Sequence, residues 1–277
     1  MEALTLHFAS EKLDAVVVGS DQVWRWGMMG YNYFLDFVND KTTRKYAYAA
    51  SFGLSHWTDN GLSTAQVARL LADFSAISVR ERSGVTLCKR IFGVEATQVI
   101  DPTLLYDADF YEERLLKGYP RKSGMQVVSC ILGEENLEQC KDISQWAGEH
   151  GLSYIDLYHT SCTFPALTQS EVRCLHLSVQ EWLDHIRCAE YVVTNSFHCT
   201  VFAILFRKKF VVLDNHSGGT DRIRTLLDSL QLGDRFLPSM SGLSLLRKKL
   251  DAGIDYPSVE DRLRVCRKDS LAFLKRI

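Results

Sequence analysis

Short, continuous apolar runs alternate with helix-length amphipathic stretches along this chain, and the alternation predicts its architecture. Asp14-Ala15-Val16-Val17-Val18-Gly19, Lys45-Tyr46-Ala47-Tyr48-Ala49-Ala50, Ala76-Ile77-Ser78-Val79 and Thr97-Gln98-Val99-Ile100 read as buried strands. Ser63 is expected to cap a helix running to about Phe74, with Val67, Leu70 and Leu71 on one face. Ser83 is expected to cap a second helix that runs through Phe92 and stops at Gly93. After a polar, glycine- and proline-bearing stretch at Lys117–Gly124, which reads as a linker, the pattern restarts. Gln126–Ile131, Ser153–Leu157, Tyr191–Val193 and Lys209–Leu213 are the next strands. Helices are predicted over Leu137–Glu149, over Val179–Cys188 behind a Ser178/Glu181 capping box, and from about Thr200. Strand–helix–strand order implies parallel pairing with right-handed crossovers. The prediction is an α/β chain of two layers meeting at a cleft. An N-terminal domain is expected over 1–120 and a C-terminal domain over 121–277, with the last helix crossing back.

Ligands of such sheets bind beyond the carboxyl ends of the strands, and polar clusters sit there in this sequence. The most informative is Thr194-Asn195-Ser196-Phe197-His198-Cys199-Thr200, between the strand ending at Val193 and the apolar run Val201–Phe206. Thr194, Asn195 and Ser196 are N-cap types, so free backbone N–H groups and a helix dipole are expected to face one spot. His198 adds a titratable group in the first turn. Gly19-Ser20-Asp21-Gln22-Val23-Trp24, Arg80-Glu81-Arg82 and Asp101-Pro102-Thr103 follow three strands of the first half. Asp214 to Arg224 follows the Leu213 strand, with paired glycines and the arginines Arg222 and Arg224, and reads as a mobile, anion-clamping lid. Each cluster also has a structural reading. Ser20 and Asp21 suit caps or turns, Trp24 suits the core, and Arg80 can pair with Glu81 or Asp101. Asp101-Pro102 suits a turn, His198 can be a structural histidine, and His159, His176 and His185 default to structural or surface roles. Met28-Met29 reads as loop or core.

Composition narrows the classes. The 277 residues carry a formal net charge of −2 and are 46% hydrophobic and 24% charged, ordinary for a globular protein. No basic stripe suggests a nucleic-acid partner, no apolar run is long enough to span a bilayer, and the N-terminus lacks signal architecture. Eight cysteines occur without a CxxC pair, which favours reduced, mostly buried thiols over disulfides or a metal site and suggests a cytoplasmic protein.

The string GSDQVW, followed by YNYFLDFV, YAASFG, ISVRE, DPTLL, VVTNSFHCTVFAILF and RIRTLL, resembles the polysaccharide pyruvyl transferase family over about Asp14 to Gly233. GSDQVW and TNSFHCTVF are its specific parts. Two departures stand out. Cys199 takes the place of a glycine in the family's SFHG, and the chain starts almost at GSDQVW, so the first domain is expected to be shortened. The resemblance implies a GT-B-like fold of two Rossmann-like domains facing a cleft. It further implies transfer of the enolpyruvyl carbons of phosphoenolpyruvate onto two hydroxyls of a sugar such as galactose, with no cofactor beyond that donor and no metal. On that footing His198 is the candidate general acid or phosphate contact, and Arg80 a forked cation. Asp21 is the acceptor of a hydroxyl proton, Ser20 and Gln22 orient substrate, Asn195 and Ser196 bind the anion, and Arg224 closes from the loop. The implied partners are phosphoenolpyruvate and a saccharide acceptor, free or lipid-linked, the latter placing the protein at the inner membrane face. Two alternatives stay open: a GT-B glycosyltransferase with a nucleotide-sugar donor, and an inert glycan-binding remnant.

Overall fold

The computed structural model describes residues 2–10, 13–27, 30–59, 61–120, 125–133, 137–158, 177–214, 218–237 and 243–277. The chain divides into two compact units. Unit 1 comprises Met1–Leu105, Gly218–Leu226 and Asp261–Ile277; unit 2 comprises Tyr106–Ser217 and Leu227–Glu260. Met28-Met29, His159, Cys162, Cys174, His176, the 121–124 end of the expected linker and the 215–217 part of the expected lid lie outside the described residues.

Unit 1 opens with helix α1 (Glu2–Ser10) and holds a four-stranded parallel sheet in the order β1 (Ala15–Val18), β2 (Arg44–Ala50), β3 (Phe74–Val79), β4 (Thr97–Gln98). β2 is central, and all its residues but the first are buried. Sheets covered on both faces require such continuous apolar strands. Helices α2 (Thr64–Ala72) and α3 (Arg82–Arg90) lie between strands in sequence. Trp24, fully buried, is the hub of the core: it stacks on Phe34 at 5.5 Å, meets Phe52 at 5.2 Å, and its indole N–H donates to the Tyr33 carbonyl. Pairing the indole's one donor lets the whole ring be buried without an unsatisfied polar group.

Two helix starts differ from expectation. Ser63 stands at the N-cap of α2 but makes no side-chain cap; Asp59 Oδ1 accepts a different donor of the first turn, the Thr64 N–H, at 3.0 Å. α3 begins two residues earlier than its sequence suggests, with Glu81 at the N-cap and Ser83 inside the first turn. The Ser83 hydroxyl is drawn to a distant partner, Asp221. Local cap chemistry is weak enough, at about 1 kcal/mol, for such tertiary partners to override it.

Unit 2 contains a five-stranded parallel sheet in the order β6 (Ser153–Asp156), β5 (Gln126–Cys130), β7 (Tyr191–Thr194), β8 (Lys209–Leu213), β9 (Phe236–Leu237). Helix α4 (Ala108–Arg114) precedes the sheet. Helices α5 (Leu137–Glu149), α6 (Val179–Cys188) and α7 (Phe197–Leu205) connect its strands. The Ser178/Glu181 capping box of α6 is formed in both directions. α7 is apolar on every side, and all its residues except His198 are buried. It is a helix the sequence could not have placed on the surface.

Helix α8 (Thr220–Ser229) starts in unit 1 and ends in unit 2, α9 (Leu243–Asp251) lies in unit 2, and α10 (Tyr256–Leu274) passes from unit 2 into unit 1 at Asp261. Within unit 1 the end of α10 packs Phe273 beside Tyr48, while the Ser270 hydroxyl accepts the Ile100 N–H and Arg267 donates to the Leu104 carbonyl. Among the described residues no helix is long and apolar enough to cross a membrane.

Candidate functional site

Each unit ends its parallel sheet in a polar group, and the two groups differ in kind. In unit 1 the centre is Arg80, the residue after β3. Its side chain is 1% exposed, and its two terminal nitrogens lie 2.6 Å from Asp101 Oδ2 and 2.6 Å from Asp21 Oδ1. Asp101 is fully buried, whereas the side chain of Asp21 is 58% exposed. The guanidinium thus presents one edge inward, to a structural carboxylate, and another toward a carboxylate that solvent reaches. Planar Arg does this well because its fork is rigid and always charged. Asp101 serves two ends: its other oxygen caps the short turn Pro102–Leu104 through the Thr103 N–H and hydroxyl.

Around this pair the chain brings together residues far apart in sequence. Ser20 is half-buried beside Asp21, and the Gln22 side-chain oxygen accepts a bond from Arg25 at 2.8 Å. Gly53, after β2, is a position that only glycine fills: its φ is +70°, and an added Cβ would come within 2.3 Å of Gln22 Oε1. Glu81 is buried; one oxygen accepts the Phe52 N–H at 2.7 Å and the other has no hydrogen-bond partner. Burial pushes its carboxyl up from the ordinary value, against the pull of the neighbouring Arg80 charge.

The start of α8 completes the group. Asp221 bonds the Ser83 hydroxyl, the Thr225 hydroxyl accepts the Arg82 N–H at 3.4 Å, and Arg222 places Nη1 3.8 Å from Asp21 Oδ1. Arg222 is 11% exposed, and its pKa is pushed down to about 10, first by burial and then by the positive charge of Arg80, with Asp21 acting the other way. The stretch expected to be a mobile lid is therefore, from Gly218 to Leu226, a docked part of unit 1. Arg224, the candidate clamp, is exposed on α8, while Arg222 makes the Asp21 contact.

The unit 2 group is held by uncharged hydrogen bonds, some within one turn and some between the ends of β5 and β7. Ser196 is the N-cap of α7 and its hydroxyl accepts the Cys199 N–H at 3.5 Å. The Thr194 hydroxyl donates to the Cys130 carbonyl at 2.6 Å and accepts the Ser196 N–H at 2.9 Å. Asn195 is 2% exposed, and its amide makes two bonds with the Leu132 backbone, accepting from N–H at 2.6 Å and donating to C=O at 3.0 Å. Its side chain thereby ties the end of β5 to the end of β7. His198 is half-buried in the first turn of α7, with its ring 5.4 Å from that of Phe197. Beneath the turn, the Cys130 thiol is held well above its ordinary value, first by its hydrogen bond with the Cys199 sulfhydryl and then by burial. The described cysteines, Cys88, Cys130, Cys140, Cys188, Cys199 and Cys266, are all free thiols. Among the described residues no group of His, Cys, Asp and Glu is arranged to hold a metal ion.

The sequence singled out Asp21, Arg80 and Asp101, offered Glu81 only as a partner for Arg80 and Arg222 only as part of an anion-clamping lid, and gave no role to Arg25. A charged residue that continues a buried strand was the available signal for Glu81; for Arg222 it was an arginine just after paired glycines.

Comparison with known proteins agrees with this architecture. The sequence model of a family described as polysaccharide pyruvyl transferase matches residues 3–217. No curated protein matches the chain. Among solved structures, MnaA of S. aureus in a co-structure with UDP aligns with a TM-score of 0.56 at 13% identity, covering 94% of this chain and 76% of that one. A variant of the wall teichoic acid polymerase TagF aligns with a TM-score of 0.46 at 10% identity, covering 95% and 74%. The fold is α/β and GT-B-like, with two Rossmann-like units each built on a parallel sheet.

Proposed function

The chain belongs to the polysaccharide pyruvyl transferase family, and from that premise we propose that it moves pyruvate from phosphoenolpyruvate onto a sugar diol, such as that of a galactose residue, as a cyclic ketal. The observation that carries the reading is the Asp21–Arg80 pair: a buried guanidinium, anchored from behind by Asp101, holds a solvent-reached carboxylate at the carboxyl edge of a parallel sheet. A trianionic donor calls for such fixed positive charge, and a sugar hydroxyl calls for a nearby base.

In this reading His198 delivers a proton to the methylene carbon of the donor, which becomes a methyl group. The first sugar hydroxyl adds to the neighbouring carbon and gives its proton to Asp21. The second hydroxyl then displaces phosphate, and its proton leaves with hydrogen phosphate. Two hydroxyl protons are thus accounted for, one in the methyl group after exchange through His198 and one on the released phosphate. Ser20, Gln22 and Ser196 orient the substrates, Asn195 holds the turn that carries Ser196 and His198, and Arg224 supplies charge from α8. Phosphoenolpyruvate and a saccharide acceptor, free or lipid-linked, are the partners.

The test is phosphate release from phosphoenolpyruvate in the presence of galactosides with free neighbouring diols, with mass spectrometry of the sugar. Phosphate and a pyruvate ketal are expected in equal amounts. Replacing His198 by Ala is expected to lower the rate about 10²–10⁴-fold. No phosphate release with any diol sinks the reading; full rates in both His198→Ala and Arg80→Ala sink the residue roles.

A further inference from the structure

The part of α10 that belongs to unit 1 has two unlike faces. Inward, Leu263, Ser270 and Phe273 are at most 2% exposed, and Ser270 and Arg267 bond the backbone of Ile100 and Leu104. Outward, Arg264, Val265, Lys268, Leu271, Ala272 and Lys275 are all exposed. Steps of three and four residues put these six on one side of a helix. Lys275 follows the last helical residue, but its N–H donates to the Leu271 carbonyl at 3.1 Å, so the helical path carries it onto the same side.

Two features set this face apart from an ordinary solvated one. The first is charge. The chain as a whole is slightly acidic, at −2, yet Asp261–Ile277 carries six cations, opposed only by Asp261 and Asp269. Asp261 is engaged by Arg264 at 2.9 Å, and among the described residues Lys268, Lys275 and Arg276 make no ion pair. Exposed charges more than about 8–10 Å away are screened at physiological salt, so a charged partner responds to this face and not to the net charge. The second feature is apolar exposure. Val265 and Leu271, three residues to either side of Lys268, are 59% and 45% exposed. A single exposed aliphatic residue is normal, but here two share a face with the cations. A nucleic-acid backbone answers the charge alone. An anionic bilayer answers both: its headgroup phosphates take the cations, and its acyl boundary takes the aliphatic side chains between them. Lysine and arginine suit that level, since their methylenes stay with the apolar side chains while their heads remain among the headgroups.

We propose that this outward face of α10 is a docking surface for a bilayer containing anionic phospholipid. Arg264, Lys268 and Lys275 hold the headgroups, and Val265 and Leu271 enter the interface. The contact is made by the chain itself and requires neither the transfer reaction nor a lipid-linked sugar. It is reversible, because a few cations and two aliphatic side chains anchor far more weakly than a spanning helix.

The experiment is sedimentation of the full chain with two kinds of vesicle, phosphatidylcholine alone and phosphatidylcholine with one-third phosphatidylglycerol, neither containing any glycolipid. Binding is expected to the second kind only, and is expected to vanish at about 1 M salt, where the screening length falls to about 3 Å. Lys268→Ala and Lys275→Ala are each expected to weaken it about five-fold, and the two together about 25-fold, which is the factor per cation near an anionic surface. Leu271→Ser is expected to weaken it several-fold at unchanged charge. Leu271→Trp is expected to show blue-shifted emission relative to the parent when anionic vesicles are added. These side chains are exposed, so the variants are expected to melt like the parent. Lys89→Ala, at an exposed ion pair with Glu95 in the same unit, is the control and is expected to bind unchanged. A parent protein that does not sediment with anionic vesicles overturns the surface, whatever the variants do. Equal losses from Lys89→Ala and Lys268→Ala overturn its location. Binding to poly-glutamate as tight as to the vesicles, with Leu271→Ser affecting neither, overturns the bilayer in favour of an acidic protein partner. No sugar and no phosphoenolpyruvate are present, so each of these results stands apart from the fate of the proposed reaction.

Discussion

The polar ends of the two sheets solve the same problem by opposite means. In unit 2 the residues that shape the end of β7 are consecutive and held by uncharged bonds, Thr194 to Ser196 and Ser196 to Cys199 within the turn, Asn195 to Leu132 and Thr194 to Cys130 across to the end of β5. In unit 1 the group is ionic and assembled from remote segments, Asp21, Phe52, Arg80, Asp101 and Arg222, with long stretches of chain between them. Neutral bonds each contribute about 1 kcal/mol and can be lost singly. A buried ion pair is different: neither partner tolerates removal of the other, although the intact pair contributes little net stability.

The largest expected effect follows from that contrast. Arg80→Ala leaves the fully buried Asp101 without its cation and is expected to cost about 3–5 kcal/mol, read by urea denaturation. Asn195→Ala strips two bonds from the half-buried Leu132 backbone and is expected to cost about 1–3 kcal/mol. Were it to cost as much as Arg80→Ala, the distinction between the ionic and the neutral group would fail. Ser196→Ala removes one long cap bond and should cost about 0.5–1 kcal/mol. The smallest effect is a slope. Burial holds the Glu81 carboxyl above its unfolded value of about 4.5, so the folded chain keeps a proton that the unfolded chain has shed. Stability from this group is complete below the unfolded value and declines as pH rises through the folded one. Glu81→Gln should therefore flatten the fall of Tm with rising pH, with no comparable change from a substitution in the unit 2 group.

The same contrast explains what the sequence disclosed. Apolar periodicity located β1, β2, β5, β7 and β8 nearly to the residue, because buried parallel strands are continuous apolar runs. The start of α7 was legible because its cap, its dipole and His198 lie within a few residues of one another. The unit 1 group was legible only in pieces. Asp21, Arg80 and Asp101 each stood out as polar residues after a strand, but nothing local says that one guanidinium joins both carboxylates. Ser83 illustrates the limit from the other side: its sequence neighbourhood suits a cap, and Asp221, remote along the chain, takes its hydroxyl instead. Arg222 stood in the stretch read as an anion-clamping lid, but nothing local says that it meets Asp21 or that Asp221 and Thr225 tie that stretch to Ser83 and Arg82.

The path of the chain has a consequence for biosynthesis. Unit 1 contains the earliest residues, yet its packing at Tyr48, Ile100 and Leu104 is supplied by Phe273, Ser270 and Arg267 from the end of α10. On the ribosome, then, the strands of unit 1 cannot complete their packing until the end of α10 has been made. A stop codon shortly after Glu260 would spare the later half its whole complement of residues and leave the earlier half uncovered, so premature termination there should damage the arginine-bearing unit rather than the one nearer the lesion.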